Sequence, residues 1–484
     1  MEQMLALVFA LSSGIIGGLL VAALPAARTR LRNMVVLFFT GSGMICSWLV
    51  ARQVWAGERL RFAGQLGGLT FCLDPDPLGI VFGLIAATLW FFTVVYSLGY
   101  MAGKAHQRTY YAFLLVAFSA TLGVAFSGNL VALYLFYELL TLTTYPLVIQ
   151  ERSPEAMQAG TKYLLYNLAG AAVLLLAIVL TAAWGGRLDF VGGPILAAGL
   201  KTGLNWLLFL FTVGFGVKAA LLPLHRWLPA AMVAPTPVSA LLHAVAVVYA
   251  GVYGLLRVVY SVFGTTLLGE LGFAALIPWV AAGTVLVGII VATQQDILKR
   301  RLAYQTISHL SYILLGAFTL HPWGLAGAVL QMIGYAVLKT AFFFCAGIIA
   351  EQTGVTRVSQ MGGVGRSLPK TMVAFAVVTL GMIGMLPLGT FWGKFYLMKG
   401  SVAGGKWPLA LVLIGSGIIN AVCFIPVVVR AFRDENKRLS ITERGVRVTL
   451  MLVPTMLLVV VGLGMGLFPG MVWPAVQAVV DWFF

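Results

Sequence analysis

Four ionisable side chains fall inside apolar runs, where charge is costly. Glu138 lies in NLVALYLFYELLTLTTYPLV and Lys218 in LFLFTVGFGVKAALLPLHRWLP. Lys339 lies in LQMIGYAVLKTAFFFCAGII, and Lys394 follows Pro387 in GMIGMLPLGTFWGKFYL. A lysine at mid-membrane costs roughly 2.5–3.5 kcal/mol on insertion scales, so three together cost roughly 8–10 kcal/mol. That approaches the whole stability of an ordinary domain. Such residues therefore face a bundle interior or a hydrated cavity. One Glu–Lys pair could serve structure alone, but it would leave two lysines unexplained. Snorkelling to the interface suits only Lys394, whose span boundary is the least defined. The chemistry these types support is proton handling. Desolvation lowers a lysine's proton affinity and a nearby carboxylate raises it. Moving Glu138 relative to Lys218 would then switch whether Lys218 holds its proton.

Histidines widen the candidate set, because an unperturbed imidazole changes charge near neutrality. His243, in TPVSALLHAVAVVYAGVYGLLR, is expected within the membrane. His309, in LAYQTISHLSYILLG, is expected nearer a span end, and His225 borders a helix break where it could gate access. His106 and His321 read as loop residues. Two of the lysines adjoin such breaks: Pro223 and Pro229 near Lys218, and Pro387, with Gly384 and Gly389, near Lys394. A proline in a span frees a carbonyl, which is tolerated only where protein or water satisfies the backbone. The strings LLPLHRW (221–227) and MLPLGTFW (385–392) resemble each other. Paired broken helices in corresponding halves point to the ion path of a transporter.

The elements that position these residues follow from composition. Of 484 residues, 61% are hydrophobic and 10% charged, against about 25% charged in a soluble domain. Apolar stretches long enough to span a bilayer recur almost end to end. They predict an all-α polytopic membrane protein of about fourteen transmembrane helices. The spans fall near 4–24, 33–51, 78–100, 110–127, 129–149, 161–184, 204–222, 237–260, 272–292, 302–320, 323–349, 371–400, 408–429 and 448–468. The first is read as a span, because its basic cluster (Arg28, Arg30, Arg32) follows the apolar run, unlike a signal peptide. An amphipathic tail, 471–484, is expected at the interface or as a short last helix. The two breaks lie five spans apart, and an odd offset inverts the second copy. The expected organisation is a three-helix segment (1–109), a first inverted repeat (110–260), a second (272–432), and a C-terminal span with its tail (447–484). Spans 7 and 12 are the broken ones.

Net charge is +16, and its distribution is informative. With the first connection on the cytoplasmic side, alternate connections collect twenty Lys and Arg there and eight opposite. That asymmetry orients the chain with both termini outside. It accounts for the charge without nucleic acid, for which no basic run is long enough. Every Lys and Arg except Lys218, Lys339 and Lys394 falls in a loop or at a span end, as does every Asp and Glu except Glu138. The four cysteines are scattered, with no CxxC or Cys/His spacing. Metal clusters, haem attachment and other cofactors are therefore not expected, nor is a catalytic centre in this chain.

The stretch KAALLPLHRWLPAAMVAPTPVSALLHA, with DILKRRLAYQTISHLSY, Glu138 and Lys339, resembles a known family. It is that of the antiporter-like subunits of respiratory complex I (NADH-quinone oxidoreductase), membrane-bound hydrogenases and Mrp-type Na+/H+ antiporters. The likeness runs over roughly residues 75 to 430. The short C-terminus looks like the Mrp D subunit or the complex I M and N type. The resemblance implies a Glu–Lys pair at Glu138 and Lys218, a central lysine at Lys339, and a terminal charged residue at Lys394 leading outward. It also implies a hydrated midplane axis that relays protons, with other membrane subunits as partners. The place implied is the cell (inner) membrane. H+ is the expected ion, with Na+ exchange as a second candidate. A redox-driven pump module and a non-translocating scaffold are the alternatives. The chain departs from the family at Tyr249, where many relatives carry Lys, and at Gln331 and Tyr335, where relatives often carry His. Tyr cannot readily replace Lys as a proton carrier, because it loses its proton from a neutral group near pH 10. His243 or water would have to supply that link.

Overall fold

The computed structural model describes residues 2–185, 187–190, 193–196, 203–433 and 443–484. Among them are eleven helices long and apolar enough to cross a membrane. Shorter helices accompany these: Leu204–Lys218, Pro369–Ile383 and Thr390–Ala403. Leu298–Ala317 has spanning length, 20 residues, but is rich in polar side chains. The chain is thus a helical polytopic membrane protein, with one β-hairpin among the described residues. The expectation of purely helical structure misses the hairpin Phe62–Leu66/Leu69–Leu73, whose turn residues Gly67 and Gly68 both have positive φ. Two adjacent positive φ values are what a two-residue hairpin turn requires, and glycine supplies them without steric cost.

Two helical segments form the centre. Thr236–Phe263 and Pro322–Thr353 are buried along their whole apolar windows, whereas Thr29–Trp55 and Pro408–Arg433 are 39% buried. Burial on all sides lets the central pair carry polar groups that neighbours can satisfy. Pro322–Thr353 packs against Thr390–Ala403, Val446–Leu467, Leu298–Ala317, Thr236–Ala244 and Pro369–Ile383. Small residues permit that approach, as expected where packing rather than hydrophobicity joins helices. A Cβ on Gly327 would lie 2.4 Å from the backbone nitrogen of Leu397, and one on Gly400 2.4 Å from that of Gly324.

Both expected breaks are present. Leu204–Lys218 ends before a cis Leu222–Pro223 bond, and the chain resumes at Leu224–Arg226 and Trp227–Ala230. Pro369–Ile383 ends at Gly384 (φ 92°), passes a cis Leu386–Pro387 bond and resumes at Thr390. Freed backbone groups find partners at each. The Trp227 indole donates to Val217 O at 2.7 Å. Gly389 N donates to Gly462 O at 3.1 Å, and the Trp392 indole to Gly466 O at 2.9 Å.

A third interruption overturns the expectation of one continuous helix over 237–260. Thr236–Ala244 stops at Val245, Val247–Arg257 restarts, and a π-helical stretch, Val258–Phe263, ends at Gly264. Neither Pro nor Gly sits at the stop. Val245 N and Ala246 N both donate to Leu241 O, at 3.1 and 2.8 Å. A shared carbonyl is a wide turn that breaks the i→i−4 ladder.

Connections gather into two sets. Leu73 bridges Ser127 and Asn129 bridges Asp189, whereas Ile297 bridges Arg357 and Lys104 pairs with Glu351 at 2.5 Å. In the second set the backbone N–H and hydroxyl of Ser359 both donate to Asp296, holding its carboxyl below the usual range. The tail forms the helix Trp473–Phe483, which packs on Pro322–Thr353 and Pro77–Tyr100. His106 and His321 lie in connections, and His321 accepts from Trp323 N at the start of the Lys339 helix.

Candidate functional site

Lys339 is fully buried in the central Pro322–Thr353 helix. Its ammonium donates to Leu302 O at 2.7 Å and to Gln305 Oε1 at 2.8 Å. The string continues away from it. Gln305 Nε2 donates to Asn420 Oδ1 at 3.0 Å, and Asn420 Nδ2 to Ser416 O at 2.9 Å. Ser416 Oγ accepts from Tyr312 at 2.7 Å, and the Tyr312 ring centroid lies 5.2 Å from Lys394 Nζ. Hydrogen bonds and one serine therefore join Lys339 to Tyr312, and the ring of Tyr312 faces Lys394. Asn and Gln amides hold this seam in place but are themselves poor proton carriers.

Lys394 itself is buried, with Nζ donating to Ile383 O at 2.8 Å and Met382 O at 3.3 Å. Those carbonyls are left open where Pro369–Ile383 stops, and a lysine there complements the helix's negative end. Gly384 makes room, since a Cβ on it would lie 2.6 Å from Lys394 Cδ. Pro387 stands exposed at the same break.

Lys218 is the last residue of Leu204–Lys218 and fully buried. It does not pair directly with Glu138. Its ammonium bonds Tyr137 O and lies 3.2 Å above the Tyr137 ring centroid. Glu138 is half-buried, and its Oε1 has no hydrogen-bond partner. The two side chains do not form a contact ion pair, although each lies within electrostatic reach of the other.

His243 is fully buried, with Nδ1 3.1 Å from Thr306 Oγ1 and no partner at Nε2. Thr306 Oγ1 in turn donates to Leu302 O at 3.0 Å, the carbonyl that also receives Lys339. His309 was expected near a span end. The helix begins at Leu298, ahead of the expected 302, so His309 lies in its middle and is fully buried. Its Nδ1 contacts Gln331 Nε2 at 3.2 Å and its ring stacks on Tyr335 at 4.8 Å. His225 is half-buried beside Pro223, with Nδ1 unpartnered. Of the departures from the family pattern, Tyr249 ties the two central segments together by donating to Met332 O at 2.9 Å. The Tyr335 hydroxyl and Gln331 Oε1 are buried without partners.

Burial of charge extends beyond the four residues singled out from sequence. Arg257, counted there as a span-end residue, is fully buried in a two-pronged pair with Asp76, with further bonds to the Tyr253 hydroxyl at 2.9 and 2.6 Å. Arg301, also buried, donates to Gln295 O, Cys423 O and Thr293 O at 2.8, 2.7 and 3.0 Å. Gln305, Thr306, Tyr312, Ser416 and Asn420 were not candidates either. The available signal was the low apolarity of Leu298–Ala317, where QTISHLSY places polar groups on every side.

The comparisons with known proteins bear on this arrangement. The family model described as NADH:quinone oxidoreductase/Mrp antiporter, TM, matches residues 127–419. NADH-quinone oxidoreductase subunit N of Desulforudis audaxviator is 33% identical over 371 residues, 75% of this chain and 73% of that subunit. Na(+)/H(+) antiporter subunit A1 of Staphylococcus aureus is 29% identical over 438 residues, 83% of this chain. This chain spans only 53% of that longer subunit. A chain from the Mrp complex of Dietzia sp. DQ12-45-1b shares the fold with a TM-score of 0.88. The match covers 100% of this chain and 98% of that one, at 20% identity. The matched segment contains Glu138, Lys218, His243, Lys339 and Lys394, and with more than half its length inside the family model the chain belongs to the NADH:quinone oxidoreductase/Mrp antiporter transmembrane family.

Proposed function

We propose that this antiporter-like subunit translocates protons through a relay of Glu138, Lys218, His243, Lys339 and Lys394, within a multisubunit complex of the inner membrane. The observation that carries the reading is the buried Lys339. It sits at the head of a hydrogen-bonded seam that runs to Tyr312, whose ring faces Lys394 at 5.2 Å. A lysine bonded only to neutral oxygens holds or releases its proton according to the charges nearby. Two such lysines, one at the head of the seam and one facing the ring at its far end, form a donor and an acceptor. His225 and Pro223 at one break, Pro387 at the other, and His309 between Tyr312 and Tyr335 are the assigned access and gating positions.

The breaks support the inverted arrangement of repeats 110–260 and 272–432, and the Lys and Arg asymmetry supports fourteen crossings with both termini outside. Lys218 lies five positions before Pro223, which corresponds to Met382 before Pro387. Lys394 comes after its proline, yet its ammonium reaches back to Met382 O and Ile383 O. Each half thus has a lysine at its break, Lys218 by its backbone position and Lys394 by the reach of its ammonium.

The relative named a subunit of NADH-quinone oxidoreductase supports a redox-driven pump, and the one named a Na(+)/H(+) antiporter subunit supports a gradient-driven exchanger of H+ for Na+. Both versions use the same residues. Genes for Fe–S or NADH-binding subunits beside this one would favour the first. The decisive measurement is proton flux into liposomes holding the intact complex. Lys339→Ala and Glu138→Ala are expected to lower flux at least tenfold; normal flux in both would leave a scaffold that merely joins helices.

A further inference from the structure

The relay reading treats His243 as one titratable stop, but the geometry around it specifies more than its presence. Its Nδ1 is 3.1 Å from Thr306 Oγ1. Thr306 has one hydroxyl proton and two acceptors in reach, Leu302 O at 3.0 Å and His243 Nδ1 at 3.1 Å. With that proton on Leu302 O, only an oxygen lone pair remains for the imidazole, and Nδ1 carries the hydrogen and donates. A neutral ring protonated at Nδ1 has its lone pair at Nε2. That nitrogen is buried and has no hydrogen-bond partner. The ring also packs against Phe343, with centroids 5.1 Å apart.

We infer that Thr306 is a positioning residue that fixes His243 in the Nδ1–H tautomer, leaving Nε2 as the atom that receives an incoming proton, and that couples this choice to Lys339 through the Leu302 carbonyl. That carbonyl accepts both the Thr306 hydroxyl and the Lys339 ammonium, the latter at 2.7 Å. When a proton arrives at Nε2, the ring becomes an imidazolium that still donates from Nδ1 to Thr306, and it returns to its starting tautomer when Nε2 gives that proton up. This single port does not exist if the ring's tautomer is unconstrained.

The tautomer claim stands on geometry alone, and its place in transport rests on the relay reading. Two readouts separate them. The first is 15N NMR of the complex carrying labelled histidine, with His243 identified by loss of its signal in His243→Gln. The protein has five histidines, so the difference is readable. The wild type should show a protonated Nδ1 and an unprotonated Nε2. Thr306→Val, which keeps the shape and removes the hydroxyl, should shift the ring to a mixture or to Nε2–H. Thr306→Ser should restore the wild-type pattern. The second readout is proton flux, expected to fall at least tenfold in Thr306→Val and to recover in Thr306→Ser. A wild-type ring protonated at Nε2, or a Thr306→Val spectrum identical to wild type, overturns the positioning role. A shifted spectrum with undiminished flux overturns its part in transport. Should Thr306→Val fail to assemble, the wild-type spectrum decides by itself. Failure of the relay reading registers separately, as undiminished flux in Lys339→Ala.

Discussion

The Asp76–Arg257 pair offers the sharpest energetic test, because its contributions can be separated by substitution. Arg257 is 1% and Asp76 6% exposed at the side chain, and the guanidinium uses both carboxylate oxygens. Asp76 also caps Pro77–Tyr100 by accepting from Gly79 N at 2.9 Å. Replacing it with Asn keeps a capping oxygen but removes the charge and turns the second Arg257 acceptor into an N–H donor. An unpaired buried charge costs about 3–5 kcal/mol, so Asp76→Asn should lose about that much. Asp76→Ala removes the cap as well and should lose about 4–6 kcal/mol. Combining Asp76→Asn with Arg257→Met eliminates both charges. Tyr253 keeps a partner in Ala125 O at 2.9 Å, and the introduced amide N–H is the one donor left unpaired. The double variant should recover to within about 1–2 kcal/mol of wild type, because an apolar replacement of a buried pair is often neutral. The assay is reversible unfolding in mixed micelles with rising SDS fraction, compared at a common midpoint. The reasoning fails if Asp76→Asn lies within about 1 kcal/mol of wild type, or if the double variant is no more stable than Asp76→Asn.

Two further outcomes follow from the seam and from the second break. Gln305→Leu takes one of the two acceptors from Lys339 and the donor from Asn420. It should lower proton flux at least tenfold while leaving the complex assembled, which size-exclusion chromatography beside the flux assay would establish. Gly466→Ala would place a Cβ 2.0 Å from Pro387 O. The Val446–Leu467 helix must then retreat from the break, at about 1–3 kcal/mol of stability. Unchanged SDS unfolding would show that this helix does not support the break.

How much of this was legible in the sequence depends on the range of the interaction. Lys218, Lys339 and Lys394 stand out because a charge within an apolar run has no local remedy. The breaks near Pro223 and Pro387 are equally local, since proline disrupts its own helix. The interruption at Val245–Ala246 carries no such mark, as Val and Ala are ordinary helix residues and only the packed core imposes the wide turn. The hairpin around Gly67–Gly68 bears a two-glycine turn signal that hydropathy does not register. His309 was placed too near an end because the polar start of Leu298–Ala317 hides the true beginning of that helix.

By itself the sequence determined a helical membrane protein with protonatable groups committed to its interior, because the cost of burying charge is paid residue by residue. Only tertiary structure decided which groups meet. Gln305 finds Asn420 across 115 positions, and Lys218 finds the carbonyl of Tyr137 in place of the carboxylate of Glu138. A hydrogen bond needs partners within about 3 Å, and that condition is set by how separate helices cross. No spacing along one helix encodes it.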